Sequence, residues 1–212
     1  IEGVETSVEG AVVDGEVVVL ACADKELRSH PQRRVTRSIN YPGAFTPEQR
    51  AAIRRCAGDV MRAVELDNSP FHLEVFVCGD RVIPIECGAR GGGGHIYSTI
   101  VRLVSGVDLM QLAVRLTLGE RSLVRSATEP RGACYRFIFP KTGVLRSVSG
   151  VDHVLAHPGV VDLILSLAPG AEVREPEHGA QRVGCLVTHG ANRGEAIQTA
   201  DWAEAALQWT IS

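Results

Sequence analysis

The chain has 212 residues, of which 45% are hydrophobic and 22% charged, and its formal net charge is −3 at pH 7. This length can bury a sizeable core and form two lobes, and the slight negative charge gives no indication of nucleic-acid binding. No apolar run approaches the roughly 18 to 20 residues of a membrane span, and no secretion signal opens the chain, so we expect a cytoplasmic protein without a membrane partner.

The first predicted elements are a hairpin and a helix. An Asp-Gly turn joins two segments of alternating polarity, residues 4–13 and 16–22, which is typical of two paired strands. Thr46 is followed by a proline and, three positions later, by a glutamine, a pattern that favours a capped helix start. Apolar residues at helical spacing then predict an amphipathic helix over 47–66 that packs on the sheet. We assign this helix a structural role.

A second hairpin is predicted around Gly79-Asp80, because both flanks are rich in Val, Ile and Phe. Its register decides where two glutamates point. A three-residue loop would place Glu74 and Glu86 on the same face of the sheet. A strict two-residue turn would place them on opposite faces, because side chains alternate along a strand. Both registers are compatible with the sequence.

Glu74 and Glu86 are candidate metal ligands. On one face of paired strands they would lie roughly 4.5 to 8 Å apart and repel each other, so we expect a cation between them. Mg²⁺, held by carboxylates and completed by phosphate oxygens and water, fits that position. Arg90 follows the second strand and can offer a planar fork to a carboxylate or phosphate. Gly91–Gly94 let the backbone approach a ligand and point amides at an anion. A solvated face and a flexible loop are the simpler alternatives.

The rest of the chain predicts further helices and short strands. A second helix is expected to open at Ser105-x-x-Asp108 and to close at Gly119. Beyond residue 131, short apolar segments alternate with glycine and proline and indicate strands. Asn192 is expected to cap a final helix over about 193–209.

We place a domain boundary between residues 127 and 128. The predicted fold class is α+β. Residues 1–127 form an antiparallel sheet with packed helices, and residues 128–212 form a small β-rich domain with a C-terminal helix.

Three motifs in this order resemble the C-terminal part of an ATP-grasp domain. They are His72-x-Glu74, Ile85-Glu86-x-Gly88-x-Arg90 and Gly106-Val107-Asp108-Leu109. The resemblance implies that Glu74 and Glu86 hold the Mg²⁺ bound to ATP and that Arg90 contacts the acyl phosphate or the substrate carboxylate. Gly91 and Gly92 are the expected cofactor-binding glycines. Gly88 stands where the family often has asparagine, which resembles the amino-acid ligase branch.

A basic segment, Gln32–Arg37, is similar to one in biotin-carboxylase-type ATP-grasp enzymes, in which a lysine stands at the position of Arg37. The resemblance implies that Arg37 binds phosphate or substrate as a second catalytic residue. Amino-acid ligases tend to carry a third acidic metal ligand in this neighbourhood, but no acid occurs from Val35 to Thr46. The alternative is an ordinary exposed basic loop.

These resemblances predict a fragment of an ATP-dependent carboxylate-amine ligase that acts through an acyl phosphate, with ATP and Mg²⁺ as cofactors. The expected partners are an N-terminal substrate domain, the front half of the ATP-grasp domain, and small carboxylate and amine substrates. A homodimer is a further possibility, and the fragment alone is expected to be inactive. A biotin-carboxylase-like enzyme and a non-catalytic binding module with the same fold are the alternatives.

Overall fold

The computed structural model describes residues 2–28, 34–121 and 131–212. The strands are β1 (Val4–Val13), β2 (Glu16–Leu27), β3 (Thr36–Tyr41), β4 (Ser69–Cys78), β5 (Arg81–Gly88), β6 (Gly132–Ile138), β7 (Gly143–Ser149), β8 (Val160–Leu165), β9 (Glu172–Val173), β10 (Gly184–Gly190) and β11 (Gln208–Ile211). The helices are α1 (Pro47–Ala63), α2 (Val101–Ser105), α3 (Leu109–Thr117), α4 (Val151–Leu155) and α5 (Arg193–Ala206), with a π-helical turn at Ile96–Ile100 and a 3-10 turn at Gly179–Gln181. Within the described ranges, no helix combines the length and the apolar character needed to cross a membrane.

The chain divides into two compact units. The first comprises Ile1–Lys25 and Tyr41–Arg131, and the second Glu26–Asn40 and Gly132–Ser212. In the first unit the strand order is β5-β4-β1-β2, and all neighbouring strands are antiparallel. In the second unit the order is β3-β6-β10-β8, beside a small sheet of order β11-β7-β9. The predicted α+β fold class is confirmed, whereas the predicted boundary at 127/128 lies outside the described residues.

Helix α1 packs on one face of the sheet in the first unit. Thr46 caps it through the predicted capping box with Gln49, and the helix ends at Ala63 rather than near residue 66. It ends there because Glu65 adopts a positive φ of 53°, which a right-handed helix cannot contain. The core under the helix is formed by buried apolar side chains, which include Val8, Val12, Ile53, Ala57, Met61, Phe71, Leu73, Val75 and Val77.

The face of this sheet opposite α1 carries the polar side chains. Because residues alternate between faces, the positions between the core residues of β1 and β4 point away from α1. Ser7 pairs with Glu74 across these strands, and Glu9 pairs with His72. The packing of α1 therefore places four polar residues together on the other side of the sheet.

Helix α5 packs on the second unit's sheet. Asn192 caps the helix as predicted by accepting a hydrogen bond from the Glu195 amide at 3.0 Å. The prediction of a helix to about residue 209 is wrong, because Leu207 is extended and the chain continues as β11, paired with β7. The Trp-Thr-Ile sequence of β11 has the aromatic and β-branched residues that favour a strand.

The predicted start of the second helix in the first unit is also corrected. Asp108 is the N-cap of α3 and accepts a hydrogen bond from the Gln111 amide at 2.9 Å. Ser105 instead ends the preceding helix, α2, and its hydroxyl donates to the Val101 carbonyl oxygen at 2.7 Å. Gly106, with φ of 77°, separates the two helices.

Candidate metal and nucleotide site

Glu74 and Glu86 face each other directly across β4 and β5. The hairpin turn is the two-residue one, because Cys78 pairs with Arg81. Such a turn alone would have put the two carboxylates on opposite faces, but a β-bulge leaves Ile85 without a cross-strand partner and shifts the register by one residue. The shared face therefore arises from the bulge and not from the three-residue loop that the sequence allowed.

The two carboxylates form a compact group with an imidazole. Ligand atoms of His72, Glu74 and Glu86 all lie within 4.8 Å of one another. His72 is buried, Glu74 is partly buried and Glu86 is exposed, so the group opens towards solvent on the Glu86 side. Oxygen ligands in this arrangement suit a hard divalent cation, whose remaining positions can be taken by water or phosphate.

Two cationic side chains already contact Glu74. The Lys25 ammonium donates to Glu74 Oε1 at 2.5 Å and to Glu5 Oε1 at 2.7 Å, and the Lys25 side chain is only 8% exposed. His72 Nε2 lies 3.4 Å from the same oxygen of Glu74. The hydrogen bond from His72 lowers the pKa of Glu74, partial burial raises it and Lys25 lowers it further, to about 2. Glu74 is thus held ionised at neutral pH.

The imidazole is fixed from its other side by Glu9, a fully buried carboxylate. His72 Nδ1 lies 2.5 Å from Glu9 Oε1, and the Ser7 hydroxyl donates to the same oxygen at 3.0 Å. Burial alone would lower the pKa of His72, but the hydrogen bonds with Glu74 and Glu9 outweigh it and raise the pKa to about 9. A protonated ring has two N–H donors and no free lone pair, so in this state His72 acts as a hydrogen-bond donor that supports Glu74.

The glycine segment after β5 is tied to the same buried carboxylate. The Gly92 amide donates to Glu9 Oε2 at 2.9 Å, and a Cβ at this position would lie 2.7 Å from Glu9 Oε1 and 2.8 Å from Ile96. Only glycine fits there without displacement. In this structure the Gly92 amide points into the protein, whereas we had expected amides of this loop to point at an anion. Gly93 and Gly94 are exposed.

Arg90 lies at the start of this loop. Its exposed guanidinium donates to the Gly91 carbonyl oxygen at 2.8 Å. The backbone oxygen therefore holds one edge of the guanidinium close to the loop. All five predicted site residues of this region therefore lie in the first unit, on β4, on β5 and in the loop that follows: Glu74, Glu86, Arg90 and the buried Gly91 and Gly92.

Arg37 lies in the second unit, on β3. Its Nη2 lies 3.2 Å from Glu204 Oε2, and its Nε lies 3.9 Å from Glu26 Oε1. Glu204 also accepts from the buried Arg136 at 2.8 Å. Arg37 is therefore part of an ion-pair group with the C-terminal helix. The neighbouring Gln32 and Arg33 of the predicted basic segment lie outside the described residues.

Lys25 and Glu9 are the residues of this site that the sequence did not reveal. Glu9 is one of several polar residues of β1, beside Glu5 and Ser7, and nothing in the sequence singles it out. Lys25 lies near the end of β2 next to other charged residues, where exposed lysines are common. Their roles depend on contacts with β4 and the glycine loop, which are 49 or more positions away in sequence.

Two family models match the chain in succession. The model of an ATP-grasp domain matches residues 1–99, and that of L-amino acid ligase C-terminal domain 2 matches residues 136–212. A protein of Sinorhizobium fredii (strain NBRC 101917 / NGR234) named "Uncharacterized protein y4rH" is 27% identical over 186 residues, which cover 86% of this chain and 38% of that protein.

Solved structures share the fold over the whole chain. L-amino acid ligase from Bacillus licheniformis superposes with a TM-score of 0.84 at 22% identity, covering 100% of this chain and 53% of the ligase. Phosphoribosylglycinamide synthetase from Anaerococcus prevotii gives a TM-score of 0.84 at 15% identity, covering 100% of this chain and 54% of the synthetase. The chain thus spans about half the length of these solved relatives.

The raised pKa of His72 predicts a pH dependence of stability. Because protonation of His72 is favoured in the folded state, its contribution is complete below pH 6.5, the ordinary histidine pKa, and is lost as pH rises through 9. We expect His72→Asn to lower the free energy of unfolding by on the order of 2 kcal/mol at pH 6, and by much less at pH 10. Urea unfolding of both proteins at several pH values measures this difference. If the free energies of unfolding of the two proteins differed by the same amount at every pH, the raised pKa of His72 would be contradicted.

The contact between Lys25 and Glu74 predicts competition with a metal ion. We expect Lys25→Gln to bind Mn²⁺ at least about tenfold more tightly than the wild type at pH 7.5, because a positive charge next to the carboxylate is removed. Electron paramagnetic resonance of free Mn²⁺ measures the affinity, and circular dichroism checks the fold. Lys141→Gln, which changes an exposed lysine of the second unit, is the matched control and should leave the affinity unchanged. Weaker binding by Lys25→Gln would show that Lys25 supports the metal site.

Proposed function

We propose that the chain is the C-terminal part of an ATP-dependent carboxylate-amine ligase, because an ATP-grasp domain model matches residues 1–99 and the model of L-amino acid ligase C-terminal domain 2 matches residues 136–212. The observation that carries this proposal is the cross-strand pair Glu74 and Glu86, two carboxylates on one face of a hairpin with Arg90 and a glycine loop directly after it. A like-charged pair in this position is destabilising without a cation. In this structure Lys25 and His72 provide positive charge at Glu74, and a metal ion would bridge Glu74 and Glu86. The match to L-amino acid ligase C-terminal domain 2 supports an amine-acceptor reaction over other ATP-grasp chemistry.

In the proposed reaction a substrate carboxylate oxygen attacks the γ-phosphorus of ATP, and ADP leaves. The resulting acyl phosphate is then attacked at its carbonyl carbon by an amine, which forms the C–N bond and releases phosphate. Mg²⁺, when bound, offsets negative charge on the phosphate oxygens. ATP-grasp enzymes use ATP with Mg²⁺ generally, and the donor set of this chain fits that ion because it offers two carboxylates on an open side.

The side chains of the first unit have distinct roles in this proposal. Glu74 and Glu86 bind the metal ion, and Arg90 orients the substrate carboxylate through its planar fork. Lys25 and His72 keep Glu74 ionised and hold its carboxylate in place before the metal ion arrives. Because the Lys25 ammonium repels a metal ion at Glu74, we propose that Lys25 moves away from Glu74 when the ion binds.

Arg37 is proposed to bind phosphate or substrate from the second unit. Its pairing with Glu204 and Glu26 fixes the guanidinium while leaving 43% of the side chain exposed. The proposed ligase activity also needs the protein segments that make up the other half of the solved relatives, as well as small carboxylate and amine substrates. We propose that the chain alone does not complete the reaction.

A non-catalytic binding module is the second candidate function. The observation that favours it is the ion pair of Lys25 with Glu74, which neutralises one of the two proposed metal ligands. Under this alternative, the protein keeps the fold and binds nucleotide weakly or not at all. The two candidates differ in whether Glu86 is needed for turnover.

We predict that Glu86→Gln in the full-length protein lowers the kcat of ATP-dependent acyl transfer by at least about 100-fold, because a metal ligand is lost. Trapping of acyl phosphates with hydroxylamine, as hydroxamates from a panel of amino acids, measures turnover. The fold should be unaffected because Glu86 is exposed, and Glu16→Gln, on β2, is the matched exposed control.

Each result of this assay has a distinct meaning. Loss of turnover in Glu86→Gln, with normal turnover in Glu16→Gln, supports the proposal that the protein is a ligase and that Glu86 is a metal ligand. Equal turnover in the variant and the wild type contradicts the metal assignment. No hydroxamate from the wild type with any carboxylate favours the non-catalytic module.

A further inference from the structure

The second unit contains a row of aromatic side chains covered by two arginines. Tyr135 and Phe137 are two positions apart on β6 and therefore lie on the same face of the strand. Their ring centroids are 4.6 Å apart. The guanidinium of Arg182 lies 3.5 Å from the Phe137 ring centroid, and that of Arg28 lies 4.5 Å from the Phe139 ring centroid. Both arginines thus lie over aromatic faces, where cations are favoured.

The two arginines differ in how their charge is compensated. Arg28 Nη2 lies 3.0 Å from Glu175 Oε1. Among the residues that the structure describes, Arg182 has no hydrogen-bond or ion-pair partner, and its Nε is enclosed without an acceptor. Other arginines of this unit, such as Arg136 and Arg174, face carboxylates at 2.8 and 2.6 Å. Arg182 is therefore a partly buried cation without an anion.

The surroundings of Arg182 make an uncompensated charge costly. Burial lowers the pKa of Arg182, because it removes water from around the charged guanidinium. Stacking on Phe137 stabilises the cation, but it supplies no acceptor for the N–H groups. Buried charges in proteins are ordinarily paired, because an unpaired one loses its hydration without replacement. Nε itself is enclosed, so an anion from outside the unit would pair with the terminal Nη groups and compensate the guanidinium charge from there.

We propose that the second unit binds a small oxyanion, a carboxylate or a phosphate group, on Arg182. The terminal N–H groups of the planar guanidinium can bind two oxygens of such a group in parallel, and the buried rings of Phe137 and Tyr135, 3% and 7% exposed, strengthen the attraction by excluding water. Close packing of Arg182 Nη2 against Gly179, where a Cβ would lie only 2.9 Å away, holds the guanidinium in place. This site uses none of the residues proposed to bind Mg²⁺ and ATP.

The test follows the side-chain Nε–H resonance of Arg182 in the ¹⁵N-labelled chain. Inorganic phosphate and acetate are titrated separately at constant ionic strength, with chloride as the reference anion. We expect a saturable shift of this resonance with at least one of the two. Saturation with phosphate alone identifies a phosphate site, and saturation with acetate alone identifies a carboxylate site. A response to neither anion beyond that to chloride overturns the proposal.

Matched variants assign the response to Arg182. Arg182→Met should weaken binding of the responding anion by at least tenfold, as followed by backbone amide shifts of β6 and β10. Arg174→Met removes an exposed arginine of the same unit, 72% exposed and paired with Glu172, and should change the affinity by less than twofold. Unchanged binding in Arg182→Met overturns the proposal. If Arg182→Met does not fold, Arg182→Lys replaces it, and it should also weaken binding because lysine lacks the planar fork of N–H donors. The titration of the wild-type Nε–H resonance tests the proposal independently of either variant.

Discussion

The buried carboxylate of Glu9 determines how the polar face of the first unit is arranged. A fully buried negative charge must be compensated, and Glu9 is compensated by the His72 ring, the Ser7 hydroxyl and the Gly92 amide. These contacts join three separate segments of the chain. The fully buried Glu9 side chain therefore helps to position the glycine loop and, together with Glu74, raises the pKa of His72.

This arrangement links stability to the proposed chemistry. The His72 ring lies between Glu9 and Glu74 and contacts both carboxylates. Glu74 also accepts a hydrogen bond from Lys25 at 2.5 Å. The carboxylate expected to bind a metal ion is thus ionised and oriented in advance, at the cost of a competing ammonium group. Enzymes commonly fix binding groups through such neighbours, because a ligand that is held in place loses less entropy on binding.

Sequence patterns predicted the elements with local signals well. The Thr46 capping box, the Asp-Gly hairpin and the Asn192 cap are local interactions, and all three are present. The bulge at Ile85 was not predictable, because it depends on the packing of β5 against β4. Strands β3, β8 and β11 and helices α2 and α4 were missed, since their short segments gain stability mainly from neighbouring strands and helices. The roles of Lys25 and Glu9 were missed for the same reason. The hairpin that carries Glu74 and Glu86 followed from the sequence pattern, but its register was left open, and the bulge is what makes the two carboxylates face each other.

The central claim is that Glu74 and Glu86 together bind a divalent cation. Paramagnetic broadening by Mn²⁺ in the ¹⁵N-labelled chain tests it most directly, because broadening depends steeply on the distance from the ion. Our account predicts that substoichiometric Mn²⁺ first broadens the amides around Glu74 and Glu86, together with that of Lys25. Broadening that begins at other carboxylates, or uniform broadening without a centre, would contradict it.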